Sequence, residues 1–144
     1  MNRTILVVDD SAAIRSQLRG AFEAKGAKVI EGENGQEGLW RARTTTVDLI
    51  VVDVHMPVMD GLEMIREVRK LPEYAKTPIF VLTSDAADAR ALEGKKAGAN
   101  AWIIKPVNVE LLWKAVEKKL FGTPSNPLEK AATGSSQQLE GSKK

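Results

Sequence analysis

Asp48-Leu49-Ile50-Val51-Val52-Asp53-Val54-His55-Met56-Pro57 is an aliphatic, largely β-branched run that stops at a carboxylate and then turns. An unbroken apolar run this short predicts a strand buried on both faces, as in a parallel sheet covered by helices. Pro57 and Asp60-Gly61 are turn residues, and a helical pattern begins at Leu62. The backbone must therefore leave the sheet near Asp53, at the carboxyl end of a central strand. Ligands of open α/β sheets bind at that edge.

The same pattern repeats outward from this strand. Ile5-Leu6-Val7-Val8 reads as a second buried strand, and it too ends in acid, at Asp9-Asp10. Ile14, Leu18, Ala21 and Phe22 then mark one face of a helix, with Gly26 as a plausible C-cap. Lys28-Val29-Ile30-Glu31 is a short strand, Asn34-Gly35 reads as a turn, and Leu39, Trp40 and Ala42 lie on a second helix. The third helix carries Leu62, Met64, Ile65, Val68 and Leu71 and ends before Pro72. Residues 78–83 form a fourth strand, a helix runs from about Asp88 to Ala97, and 101–105 form a fifth strand stopped by Pro106. Asn108 caps a last helix that carries Leu111, Leu112, Ala115, Val116 and Leu120. Strands alternating with helices predict an α/β fold with a doubly wound parallel sheet. The domain is expected over residues 1–122. Residues 123–144, rich in Ser, Gly, Pro, Thr and Gln without apolar periodicity, read as a flexible C-terminal tail.

Composition removes several classes of function. Twenty-one basic and 19 acidic residues leave a net charge of +2, too balanced to argue for nucleic acid. There is no cysteine, so thiolate metal sites, disulfides and a cysteine nucleophile are absent. The single histidine, His55, excludes a His-rich zinc site. No apolar run approaches membrane-spanning length, and the N-terminus enters a strand directly, so no membrane and a cytoplasmic location are expected.

Asp9, Asp10 and Asp53 end two strands. If those strands are neighbours, the carboxylates converge, and like charges so close require a cation. An all-oxygen site points to Mg²⁺. Thr83 offers a hydroxyl at the end of the fourth strand and Lys105 an ammonium at the end of the fifth. Carboxylates, a hydroxyl and an ammonium at one sheet edge are a complete set for phosphoryl transfer onto an aspartate. Each residue alone has a plainer reading: Asp10 as a helix cap, Lys105 as a solvated lysine, Thr83-Ser84-Asp85 as capping residues. The concentration of all five at strand ends favours chemistry.

With these residues in place, the chain resembles the response-regulator receiver domain, the CheY-like family. The resemblance rests on Asp9-Asp10, on Asp53 followed by Met56-Pro57 and Asp60-Gly61, on Thr83-Ser84 and on Lys105-Pro106, and it covers residues 3 to about 121. It implies a flavodoxin-like (βα)5 fold with strand order 2-1-3-4-5, for which a member of this family is a standard example. It implies that Asp53 is the phosphoacceptor, that Asp9 and Asp10 bind the metal with Asp10 the more direct ligand, and that the His55 backbone carbonyl is a further ligand. Thr83 is similar to the family's switch hydroxyl and Lys105 to the lysine that pairs with the phosphoryl group. The Lys105-Pro106 bond is a candidate cis peptide. Trp102 stands where the family usually has a switching Tyr or Phe. Side chains at the places of His55 and Asp85 border the path of hydrolytic water.

The resemblance further implies a donor, a sensor histidine kinase or phosphotransfer protein. It also implies a downstream target protein on the face of the fourth helix, fifth strand and fifth helix, bordered by Lys95, Lys96 and Trp113. The expected protein is a monomer or weak dimer, leaning to the chemotaxis type, and a signalling switch that assists its own phosphorylation and dephosphorylation rather than an enzyme. One alternative is a Mg-dependent phosphatase or phosphotransferase working through an aspartyl-phosphate. Val54-His55 lacks the second acid such enzymes carry, and no cap domain is available. A dinucleotide-binding module fails because Asp-Asp-Ser, not a glycine-rich loop, follows Val8. A phosphorylation-independent scaffold is a further alternative, opposed by the complete acid set.

Overall fold

The computed structural model describes residues 3–84, 93 and 95–122. Five parallel strands, β1 (Thr4–Val8), β2 (Lys28–Gly32), β3 (Leu49–Asp53), β4 (Ile79–Thr83) and β5 (Ala101–Ile104), form one sheet in the order β2-β1-β3-β4-β5. This is the expected fold class and order. β3 is buried at all five positions, as its uninterrupted apolar run requires. β1 pairs with β3 from Ile5↔Leu49 to Val8↔Val52, so Asp9 and Asp53 emerge at the same edge.

Helices cover both faces. Residues from α2 (Gly35–Thr44) and α3 (Gly61–Arg69) pack with Leu6, Val8, Ile50, Val52 and Val81 on one side. Residues from α1 (Ala12–Ala24) and the C-terminal helix (Val109–Phe121) pack with Ile5, Val7, Leu49, Val51 and Leu82 on the other. Alternation along each strand sends successive side chains to opposite layers.

Several local readings are corrected. Asn34-Gly35 is not a turn between elements: Asn34 is the N-cap of α2, its side chain accepting from the Glu37 N–H at 2.8 Å. Glu37 reaches back to the Glu33 N–H at 2.7 Å, much as in a capping box. Trp40 faces outward, 55% exposed, with the Arg41 guanidinium 5.2 Å from its ring centre. Trp113 does the reverse. It is buried against Phe22, ring centres 5.8 Å apart, and belongs to the core rather than to a binding face. Lys25 caps α1, and Gly26 follows it with φ of 94°, the left-handed residue that glycine tolerates best. α3 ends at Arg69, and Pro72–Tyr74 form a 3₁₀ turn. Asn108 caps the C-terminal helix as expected, accepting from the Leu111 N–H at 3.1 Å. Of the helix expected over 88–97, only residues 93 and 95–97 are described, all helical. The expected tail, 123–144, and Asp85 lie outside the described residues.

Two polar clusters tie the far end of the sheet. The buried Tyr74 hydroxyl donates toward the Ala42 and Thr45 carbonyls at 2.6 and 2.9 Å and accepts from the Val47 N–H at 3.2 Å. The Arg69 guanidinium donates to the carbonyls of Tyr74, Thr77 and Gly98 and to Asn100 Oδ1.

Candidate functional site

The site is assembled by strand ends. Asp9 follows β1 directly and is fully buried. Its Oδ1 accepts from the Ser11 N–H at 2.9 Å, and Ser11 in turn caps α1. Asp10, one residue further from the sheet, is exposed. Ser11, not Asp10, is the N-cap, which leaves the Asp10 carboxylate available to the pocket. Asp53 closes β3 and is 4% exposed. Carboxylate oxygens of Asp9, Asp10 and Asp53 lie within 4.8 Å of one another.

Lys105 follows β5 and extends its ammonium into this group. Nζ is 3.0 Å from Asp9 Oδ2 and 3.2 Å from Asp53 Oδ1. Its backbone N–H donates to the Thr83 carbonyl at 2.7 Å, and the Lys105-Pro106 peptide is cis, as expected. Thr83 ends β4 and is fully buried. Trp102 is half-buried against the layer of α2 and α3. The pairings Val81↔Trp102 and Thr83↔Ile104 place Thr83 and Trp102 on the same face of the sheet. The His55 side chain is exposed.

Charge in the pocket is unbalanced. Among the described residues, three carboxylates face one ammonium, and burial compounds the repulsion. Burial, then the Asp9 charge, push the Asp53 carboxyl up to about 6 despite the opposing pull of Lys105. Burial draws the Lys105 ammonium down, but hydrogen bonding and charge from Asp9 and Asp53 outweigh it and leave its pKa raised. Asp9 Oδ2 is buried and has no hydrogen-bond donor in good geometry, only the Lys105 contact. A hard cation suits such a donor set: oxygen ligands only and excess negative charge. Asp9, Asp10 and Asp53 could hold a metal ion.

The loop after β3 is shaped by glycine and strain. Gly61 donates its N–H to the Val54 carbonyl at 2.9 Å, and Gly35 donates to the Met59 carbonyl at 2.9 Å. Between them Val58, 74% exposed, adopts φ of 71°, with the Met59 N–H bonded to the Pro57 carbonyl at 2.7 Å across it. That is a γ-turn centred on a β-branched residue, a strained arrangement. The reading of sequence missed this strain, because Pro57-Val58-Met59 carries no glycine to signal a positive φ.

Comparison with known proteins agrees with the geometry. The model of the response regulator receiver domain matches residues 5–117. The chain is 40% identical over 102 residues to the transcriptional regulatory protein ResD of Bacillus subtilis, covering 71% of this chain and 41% of ResD. It thus spans less than half the length of that relative. It is 32% identical over 118 residues to protein PilH of Pseudomonas aeruginosa, covering 82% of this chain and 98% of PilH. Among solved structures, the chemotaxis response regulator CheY4 of Vibrio cholerae superposes with a TM-score of 0.79 at 37% identity, over 83% of this chain and all of that one. With the strand order, the edge at which the acids gather and these likenesses in agreement, the chain belongs to the response-regulator receiver domains of two-component systems.

Proposed function

We propose that residues 1–122 act as a phosphorylation switch in which Asp53 accepts a phosphoryl group from a sensor histidine kinase or phosphotransfer protein. The observation that carries this reading is the placement of Asp53. Its carboxylate is nearly buried, beside Asp9, Asp10 and the Lys105 ammonium, at the edge where a phosphoryl group can enter. An Asp53 carboxylate oxygen attacks phosphorus as the bond to the donor imidazole nitrogen breaks. Lys105 exchanges its contact with Asp53 for one with the phosphoryl oxygens, and the Thr83 hydroxyl approaches the same group. Mg²⁺ held by Asp9, Asp10, Asp53 and the His55 carbonyl would supply further neutralisation of those oxygens.

Output is a population shift. Thr83 and Trp102, on one face of the sheet, report the state of Asp53 to the surface of the fourth helix, β5 and the C-terminal helix, where a downstream protein binds with different affinity. The likeness to the chemotaxis response regulator CheY4 supports a chemotaxis-type output. The protein is taken to act in the cytoplasm as a monomer or weak dimer. The protein turns over no separate substrate. It assists only its own phosphorylation and dephosphorylation.

Intact-mass analysis after incubation with acetyl phosphate tests this. One phosphoryl adduct that requires Mg²⁺, vanishes in EDTA and vanishes in Asp53→Asn is expected. An adduct that persists in Asp53→Asn would place the acceptor elsewhere. No adduct with folded protein and Mg²⁺ would favour the scaffold reading or a receiver that accepts phosphate only from its kinase.

A further inference from the structure

Arg15 takes no part in the chemistry above, yet it grips the backbone of the acid pair. It lies near the start of α1, and its Nη1 donates to the Asp9 carbonyl at 2.7 Å. Its Nε donates to Glu31 Oε1 on β2 at 2.9 Å. The Arg15 side chain is only 17% exposed, so these contacts are better shielded than an ordinary surface pair. Glu31 also takes Arg19 Nη1, and Arg19 Nε meets Glu23 at 3.2 Å. Two guanidiniums and two carboxylates thus alternate in a chain, Arg15–Glu31–Arg19–Glu23.

The Asp9 carbonyl belongs to the peptide that joins Asp9 to Asp10. β1 makes its last ladder pairings at Val8, with Gly32 and Val52. Beyond them the Asp9 N–H still reaches the Gly32 carbonyl at 3.1 Å, and Arg15 holds the carbonyl side. The Asp9 carboxylate has anchors of its own in Ser11 and Lys105. The exposed Asp10 carboxylate depends on the orientation of the peptide plane that carries it. Charge matters as well. A lone guanidinium at this spot would oppose a cation, and Glu31 offsets it.

We propose that Arg15, aimed and neutralised by Glu31, is a positioning residue that sets the Asp10 carboxylate for a divalent cation. This rests on reading the three acids as a cation site. Outer partners that orient ligands are typically worth tenfold or more in metal affinity.

The test is titration of Mn²⁺ into the full chain, read by water-proton relaxation, with thermal unfolding in EDTA measured alongside. Arg15→Ala is expected to weaken Mn²⁺ binding roughly tenfold. Arg15→Lys should recover part of the loss, since an ammonium can still donate to the Asp9 carbonyl. Glu31→Gln should weaken binding in the same direction, and it serves if Arg15→Ala does not fold. In an Asp10→Ala background Arg15→Ala should not weaken binding further. Lowered thermal stability with unchanged Mn²⁺ affinity would make Arg15 merely structural and overturn the inference, as would an equal loss in the Asp10→Ala background. Failure of the unmodified protein to bind Mn²⁺ would instead remove the cation site itself, and this inference with it.

Discussion

Gly61 lies so close to Asp53 that a Cβ on it would stand 2.1 Å from the Asp53 carbonyl oxygen and 3.2 Å from the Val52 side chain. The obstacle is the backbone of β3 and cannot be relieved by a rotamer change. Gly61→Ala should therefore push α3 and β3 apart, destabilising the fold by about 1–3 kcal/mol. The same displacement should slow Asp53 phosphorylation by acetyl phosphate. A urea midpoint indistinguishable from that of the parent would mean the two segments are not held at this separation.

Asp53 should make the metal-free protein less stable as pH rises. Its folded pKa, about 6, lies above the ordinary carboxylate value of 3.8 because burial and the Asp9 charge disfavour ionisation. The folded state then holds this proton more tightly than the unfolded chain. The stabilisation is complete below the unfolded value and is lost as pH climbs through about 6, a change on the order of 3 kcal/mol. Asp53→Asn cannot ionise, so in EDTA it should be more stable than the parent at pH 7.5, with the gap closing toward pH 4. Parallel stability curves for the two proteins across that range would contradict this account.

Val58 offers a gain of stability. A β-branched residue at φ of 71° carries strain on the order of 1–3 kcal/mol, and its side chain is exposed with little packing to lose. Glycine adopts this conformation freely but loses about 0.5–1 kcal/mol more backbone entropy on folding. Val58→Gly should raise stability by roughly 1 kcal/mol, measured by urea denaturation. A decrease would show that the turn is not strained at this residue.

Four of the strands were legible because each carries an uninterrupted apolar run, and β2 from the short Val29-Ile30 pair within Lys28–Gly32; the site was legible because its acids, threonine and lysine stand at or just beyond the ends of those runs. Strand order was not legible from pattern alone and came with the family resemblance. The misreadings have local causes. Asn-Gly is a signal for turns, but Asn34 is also a good helix cap, and the Glu37 three residues later was the clue that distinguishes the two. Trp113, expected at a binding face, lies in the core, because an aromatic near the edge of a helix stripe fits either side. Arg15 with Glu31, and Arg69 with Gly98, join residues 16 and 29 positions apart, and no local pattern marks such pairs in advance.

The two walls of the pocket are fastened by different means. Behind Asp53, the loop is moored by backbone hydrogen bonds from Gly61 to Val54 and from Gly35 to Met59. In front, the Lys105 ammonium is held to the acids by side-chain contacts of 3.0 and 3.2 Å, through hydrogen bonding as well as charge. An incoming dianion can outbid carboxylates for an ammonium but has nothing to offer a paired amide. Under the proposed function, a phosphoryl group at Asp53 would therefore leave the backbone-moored loop in place and draw the Lys105 side chain toward itself.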